Sequence, residues 1–451
     1  MANQVHWSGA LRGRMGGVSP WAGSDEIVRR FLPFFTGGLG SGRLPFITMP
    51  YRSSLESELP GVMDRLSRGK KHMLLLGIGG SALGPRALQR AFMPQQDWPG
   101  HEGPWLWIAD NVDAPALEAW LEKLPPKETL VVVVSKSGGT IETMSQYFIV
   151  REWLQKGLGV DWSKSVLAVT DEKSGALRQE ADEKGLAALP VPDHLGGRFS
   201  ILSAVGMVPA YFCGMDWKGI LAGAAAVFSP VALHPERLSS NPAWKLALWA
   251  KSLMDHGYSQ LIFFSYIPSW ACFGDWFAQL WGESLGKAGK GSMPLPATGV
   301  TDQHSLLQMF LDGPRDKGCV FLEGLNMPRG PRFSDNLPDK WSYLRGQSFG
   351  DVLDAETIGT LGAFAAGDIP LARLSMGSQD ARAAGALMAL LELTTFFTGG
   401  LLEINPLDQP AVEYGKRLAN TRLGASGYGK EEQDLKAYFA ASGIGDDAQE
   451  F

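Results

Sequence analysis

Apolar runs of strand length that end in glycine turns and give way to helical spacing recur along this chain. The clearest is TLVVVV at 129–134, followed by SKSGGT and then IETMSQYFIVREWLQK, whose apolar positions return every three or four residues. HMLLL at 72–76 opens the same series, with GIGGSALG as its turn and PRALQRAF as its helix. GPWLWIADN reads as a further strand, and SVLAVTDEKSGALRQEADEKG as strand, turn and helix once more. Strands that are apolar throughout, rather than alternating, are buried on both faces. The pattern therefore predicts a parallel sheet flanked by helices, an α/β domain over 71–230.

A second series begins with the helical NPAWKLALWAKSLMD and its strand LIFFSY. It continues through the helix WACFGDWFAQLWGESLGKAG, the strand GCVFLEGL and a final apolar helix, AAGALMALLELTTFFTGGLL. Two α/β domains of similar type are expected, the second over 231–430. Within it, 324–368 reads as an insertion or long loop, because NMPRGPRFSDNLPDKWSYLRGQ is polar and proline-rich. Residues 1–70, rich in glycine, proline and arginine, read as a lead-in with one amphipathic stretch, SDEIVRRFLPFF. Residues 431–451 read as a C-terminal tail.

Composition narrows the partners. The 451 residues are 45% hydrophobic and 20% charged, the balance of a globular protein, and 41 Lys plus Arg against 47 Asp plus Glu leave a net charge of -6. No global positive field recruits nucleic acid or an anionic membrane, so an anionic ligand needs a local site. Cys213, Cys272 and Cys319 lie far apart with no metal-ligand spacing. MANQVHWSGALRGRMGG has no apolar signal core, and GILAGAAAVFSPVAL and AAGALMALLELTTFF are broken by proline or glutamate short of membrane-spanning length. A cytoplasmic setting is expected.

The turns carry the chemistry. In parallel sheets ligands gather at the carboxyl ends of strands, where helix N-termini present unpaired N–H groups. SKSGGT adds the hydroxyls of Ser135, Ser137 and Thr140, while Gly138 and Gly139 let backbone approach an anion; GIGGSALG adds Ser81. The Walker A ending is absent, and Ala82 occupies the third glycine of a dinucleotide fingerprint, so nucleotide readings are weak. Two such turns on neighbouring strands could wrap one small phosphate, or each could be a tight connection.

GGRFSILSAVG places Arg198 at a helix entry, to pair with a carboxylate or to face an oxyanion. In FAQLWGESLGK, Gln279 and Glu283 share a helix face, although Glu283 could equally pair with Lys287, four residues on. TGVTDQHSLLQ holds His304 just ahead of an amphipathic helix. EINPLDQPAVEYGK sets Pro410 at a first helical position, Gln409 near the cap, and Lys416 on the helix, either solvated or reaching into the cleft between the domains.

In this order GIGGSALGP, SKSGGTIET, GGRFSILSAVG, GESLGK, DQHSLLQ and NPLDQPAVEYGK resemble the glucose-6-phosphate isomerase family. The resemblance implies two sugar-isomerase (SIS) domains and a homodimer with active sites at the subunit interface, working without metal or organic cofactor. It also implies reversible interconversion of glucose 6-phosphate and fructose 6-phosphate through a cis-enediol, a step of glycolysis and gluconeogenesis. By the same resemblance Ser81, Ser135, Lys136, Ser137 and Thr140 bind the sugar phosphate, and Gln279 and Gln409 complete the grip. Glu283 is the base, Arg198 steadies the enediolate, and His304, from the neighbouring subunit, opens the sugar ring with Lys416. The family more often has threonine at position 137 and bulkier residues at 138 and 139. Rival readings are a dual-specificity phosphoglucose/phosphomannose isomerase and a non-catalytic SIS sensor of sugar phosphates.

Overall fold

The computed structural model describes residues 2–16, 19–51 and 53–442. Two compact units divide the chain, the first ending at Pro406 and the second beginning at Leu407.

Among the described residues the first unit holds ten strands in two five-stranded sheets. One sheet contains β2 (His72–Leu76), β3 (Trp105–Ala109), β4 (Thr129–Val134), β5 (Val166–Asp171) and β6 (Ala187–Val191) in the order β3-β2-β4-β5-β6, all parallel. Every residue of β4 is buried, which is why its apolar run does not alternate. Leu76 stands opposite Val133, and Val134 opposite Val169. Leu74, Leu76, Val131 and Val133 pack against Tyr147, Val150 and Leu154 of the helix Ile141–Leu158.

The other sheet is ordered β1-β10-β9-β7-β8, from β1 (Gln4–Gly9), β7 (Gln260–Ser265), β8 (Met293–Thr298), β9 (Lys317–Gly324) and β10 (Leu371–Met376). Only β1 runs antiparallel, with Gln4 opposite Ser375. Ile262, Phe264, Phe321 and Phe364 form its core on one face. The α/β class with parallel sheets between helices is thus as expected.

Three expectations change. The 1–70 segment contributes to the core: β1 extends the second sheet, and the helix Ser24–Gly40 buries Phe31 and Phe35, with Phe31 5.1 Å from Trp244 and 5.7 Å from Phe397 between ring centroids. Aromatic residues four apart on one helix face need an apolar partner, and the second half of the chain supplies it. The 324–368 segment is irregular only in its first part, since Phe349–Ala366 is a helix that delivers Phe364 to the core. The helix Ala381–Leu401 does reach membrane-spanning length and hydropathy despite Glu392, but 78% of its apolar window is buried, packed against the helices Trp217–Leu233, Pro242–Asp255 and Cys272–Leu285.

The second unit contains the helices Pro410–Arg422 and Gly429–Ser442. They are joined by an ion pair of Arg417 with Glu431 at 2.8 Å and by the Tyr414 hydroxyl, which donates to Asp434. Of the expected tail, 431–442 belongs to this second helix, and 443–451 lies outside the described residues.

Candidate active site

The chain enters the first sheet at β2, steps outward to β3, and returns to the other side of β2 at β4. The strand order therefore reverses between β2 and β4, and a crevice opens at their carboxyl ends. The two glycine-rich turns leave from these two strands.

After β4, Ser135 is buried, Thr140 half-buried and Ser137 exposed. Gly138 N–H donates to Ser135 Oγ at 3.1 Å, and Ser135 Oγ donates to Thr140 Oγ1 at 3.3 Å. Gly139 N–H donates to Ser137 Oγ, also at 3.1 Å. Both chains of bonds use the accepting side of the last hydroxyl, so the O–H groups of Ser137 and Thr140 are left to donate outward. A phosphate dianion, which only accepts, suits such donors. They sit at the N-terminus of the eighteen-residue helix Ile141–Leu158, whose dipole favours an anion there.

Neighbouring segments brace the turn. Gly138 has φ +65°, and a Cβ on it would stand 2.1 Å from Leu177 N, so glycine is needed on both counts. Thr170, fully buried, donates to the carbonyls of Ser135 and Lys136 at 2.8 and 3.0 Å. Lys136 Nζ donates to Leu195 O at 3.3 Å, tying the turn to the strand end that leads to Arg198. Burial holds the Lys136 ammonium below its ordinary value, with Asp193 and Asp171 acting in the opposite sense.

After β2, the short turn Gly79–Ser81 presses on Gly197–Phe199: a Cβ on Gly80 would stand 2.2 Å from Gly197 C. Ser81 is half-buried, and its hydroxyl has no partner among the described residues. Gln279 lies over the same turn, where a Cβ on Gly79 would meet its Nε2 at 2.8 Å.

Arg198 and Glu283 meet at this junction. Arg198 is 2% exposed and Glu283 24%, with Nη1 and Oε1 3.4 Å apart. Arg198 Nε donates to Ser284 Oγ at 2.7 Å and Nη2 to Pro406 O at 2.5 Å. Gln279 Nε2 donates to Glu283 Oε2 at 3.0 Å, and Gln279 Oε1 is buried without a partner among the described residues. Glu283 occupies the last turn of the helix Cys272–Leu285, where the dipole disfavours a negative charge and a cation such as Arg198 offsets it. Lys287 serves the same helix end, since its Nζ donates to the carbonyls of Glu283 and Ser284 at 3.2 and 2.7 Å. Of the two uses left open for Arg198, the pairing with a carboxylate is present, and that carboxylate is Glu283.

His304 stands apart and exposed on the connection after β8, its ring held by no hydrogen bond or ion pair among the described residues. Its turn is nonetheless pinned. Asp302 accepts from Thr298 N and Ser305 Oγ at 2.7 and 2.6 Å, and Gln303 donates to Glu356 at 3.0 Å. Gln409 and Lys416 belong to the second unit: Pro410 opens the helix, Gln409 precedes it as its cap, and Lys416 pairs with Glu413 at 2.8 Å. Sequence reasoning missed Thr170 and Ser284. The only signal for Ser284 was its place beside Glu283 in GESLGK. No group of three or more metal-ligating side chains is gathered among the described residues.

The sequence pattern of the phosphoglucose isomerase family matches residues 65–315. Glucose-6-phosphate isomerase of Rubrobacter xylanophilus is 38% identical over 85% of this chain and 90% of its own length. That of Thermus thermophilus is 38% identical over 78% and 83%. Among solved structures, a hypothetical protein of Thermus thermophilus superposes with a TM-score of 0.79 at 32% identity, covering 90% of this chain and 99% of that one. A glucose-6-phosphate isomerase from Chlamydia trachomatis gives 0.71 at 26%, covering 85% and 76%.

Proposed function

The chain belongs to the phosphoglucose isomerase family, and we propose that Glu283 is the base through which it interconverts glucose 6-phosphate and fructose 6-phosphate. The activity is a reversible aldose-ketose isomerisation. A proton moves between C1 and C2, and one carboxylate can take it from one carbon and return it to the other on the same face of a cis-enediol. The observation that carries the assignment is the junction of Glu283 with a buried guanidinium and a glutamine amide, against the turn Gly79–Ser81. As the proton leaves, negative charge grows on the enediolate oxygens, and the fixed positive charge of Arg198 lowers the energy of that state more than that of the neutral sugar.

The phosphate rests on Ser137 and Thr140 at the helix N-terminus, with Ser135 and Lys136 shaping the turn and Ser81 closing the opposite side. Gln279 Oε1 accepts from a sugar hydroxyl, and Gln409 is assigned to the grip by motif. Ring opening, which moves a proton between the ring oxygen and the C1 hydroxyl, falls to His304 and Lys416, also by motif.

The working form in this reading is a homodimer in which His304 comes from the neighbouring copy. Exposure of His304 supports it, as do Met309, Trp341, Tyr343, Phe349 and Ile358, large apolar side chains left exposed in the segment that follows. Three free thiols are in keeping with a reducing cytoplasm.

The test is conversion of fructose 6-phosphate to glucose 6-phosphate by purified protein in excess chelator, with mannose 6-phosphate assayed in parallel. Glu283→Gln lowers kcat by roughly 10²–10⁴-fold; a variant as active as the parent removes Glu283 from the mechanism. Mixing inactive Glu283→Gln and His304→Ala proteins after dissociation restores about a quarter of the sites if His304 crosses the interface. Recovery of none would place His304 in its own subunit's site.

A further inference from the structure

We infer that Ser284 is a positioning residue for the reaction, one that sets the plane of the Arg198 guanidinium and so its separation from the Glu283 carboxylate. The inference rests on the reading of Glu283 as the base.

A guanidinium is a rigid planar fork, so fixing two of its nitrogens fixes the third. Here Ser284 Oγ accepts from Nε at 2.7 Å and the Pro406 carbonyl from Nη2 at 2.5 Å. Nη1 then stands 3.4 Å from Glu283 Oε1. Charge-assisted N–H···O contacts ordinarily close to about 2.7–2.9 Å. The pair is therefore held slightly apart by bonds made elsewhere on the fork. A tight two-pronged bridge would hold the carboxylate in its ground state and tie up the charge that the enediolate needs. The gap keeps base and guanidinium from locking together.

Ser284 suits this task by position and burial. It adjoins Glu283 in sequence, lies on the same last helical turn, and is completely buried, so no water competes for its oxygen. Lys287, bonded to the carbonyls of both residues, secures that turn from its open end. A shift in the turn would therefore move base and fork-holder together, which preserves their relation.

The experiment compares Ser284→Ala, Ser284→Cys and Ser284→Thr with the parent and with Glu283→Gln, measuring kcat and KM separately for fructose 6-phosphate. Ser284→Cys keeps the volume but offers only a weak acceptor, so it reports on the bond even if the alanine variant folds poorly. Misplacing a reacting group by about 1 Å can cost 10²-fold in rate. The expected result is a fall in kcat of about 10–100-fold for the alanine and cysteine variants, with KM within about twofold and most of the rate kept by threonine. In a crystal structure of Ser284→Cys the guanidinium plane is turned and the Arg198–Glu283 separation changed. Parental kcat in the folded cysteine variant, or a loss confined to KM, overturns the inference. If Glu283→Gln is inactive while Ser284→Cys is normal, only the positioning role fails; an active Glu283→Gln removes the underlying reading as well.

Discussion

Glu392 puts a carboxyl group in the core with neither oxygen bonded among the described residues, and replacing it with glutamine isolates what that costs. The side chain is fully buried on the helix Ala381–Leu401, and burial raises its pKa well above the ordinary 4.5. The folded protein therefore keeps this proton at pH values where the unfolded chain has released it. Stability attached to the group is complete below about pH 4.5 and is lost as the pH climbs towards the folded-state value. Between those two values each pH unit of rise removes roughly 1 kcal/mol of stability through this residue. Glu392→Gln has no proton to lose, so its stability relative to the parent rises as the pH climbs from 4.5 towards the folded-state value. Urea unfolding followed by tryptophan fluorescence at pH 5.5, 6.5 and 7.5 measures it, with Trp244, Trp249 and Trp270 as buried reporters. A parent-variant difference that stays constant across the three pH values would refute the reasoning, because it would mean that Glu392 titrates alike in both states.

Gly138→Ala combines a left-handed backbone position with a methyl group 2.1 Å from Leu177 N, so the turn after β4, to which the proposed function assigns the phosphate, has to move. KM for the sugar phosphate should rise about tenfold or more, the value of one hydrogen bond to a charged group; Gly139→Ala, whose methyl meets only Ser137 Oγ at 3.5 Å, should leave KM near the parent's. Gln96 imitates a neighbouring strand at the edge of β3, accepting from Leu106 N and donating to Leu106 O, each at 3.0 Å. Gln96→Ala should cost about 1–3 kcal/mol in urea unfolding and increase light scattering on warming through edge pairing; an unchanged midpoint and scattering would contradict that role.

What could be read from the chain was local. The run at β4 announced a strand buried on both faces, and the glycines and hydroxyls after it announced the turn into the helix Ile141–Leu158, because both signals lie within a dozen consecutive residues. The pairing of β1 with β10 joins Gln4 to Ser375, and nothing in QVHWSG names a partner so distant. β8 was hidden for another reason: MPLPAT contains two prolines, which speak against a strand. It survives as an edge strand because Pro294 and Pro296 are two apart, so their missing N–H groups lie on one side, away from the bonds to β7. The helix Phe349–Ala366 could have been found. Ser348 and Asp351 form a reciprocal capping box at its start, a local signal that the preceding prolines obscured.

The site shows why local reading stops where it does. The helix Cys272–Leu285 starts near the switch between β7 and β9 in the second sheet, runs about 21 Å, and ends against the turns of the first. Its sequence predicts that Gln279 and Glu283 share a face, but not what that face meets. Arg198, 85 positions away, is set by the packing of Gly80 on Gly197, which joins the turns after β2 and β6 of the first sheet, whereas the helix that carries Glu283 follows β7 of the second. Neither sheet alone can place a cation beside this carboxylate. Changes in the packing between Gly80 and Gly197 should therefore impair catalysis as severely as changes to the charged pair itself.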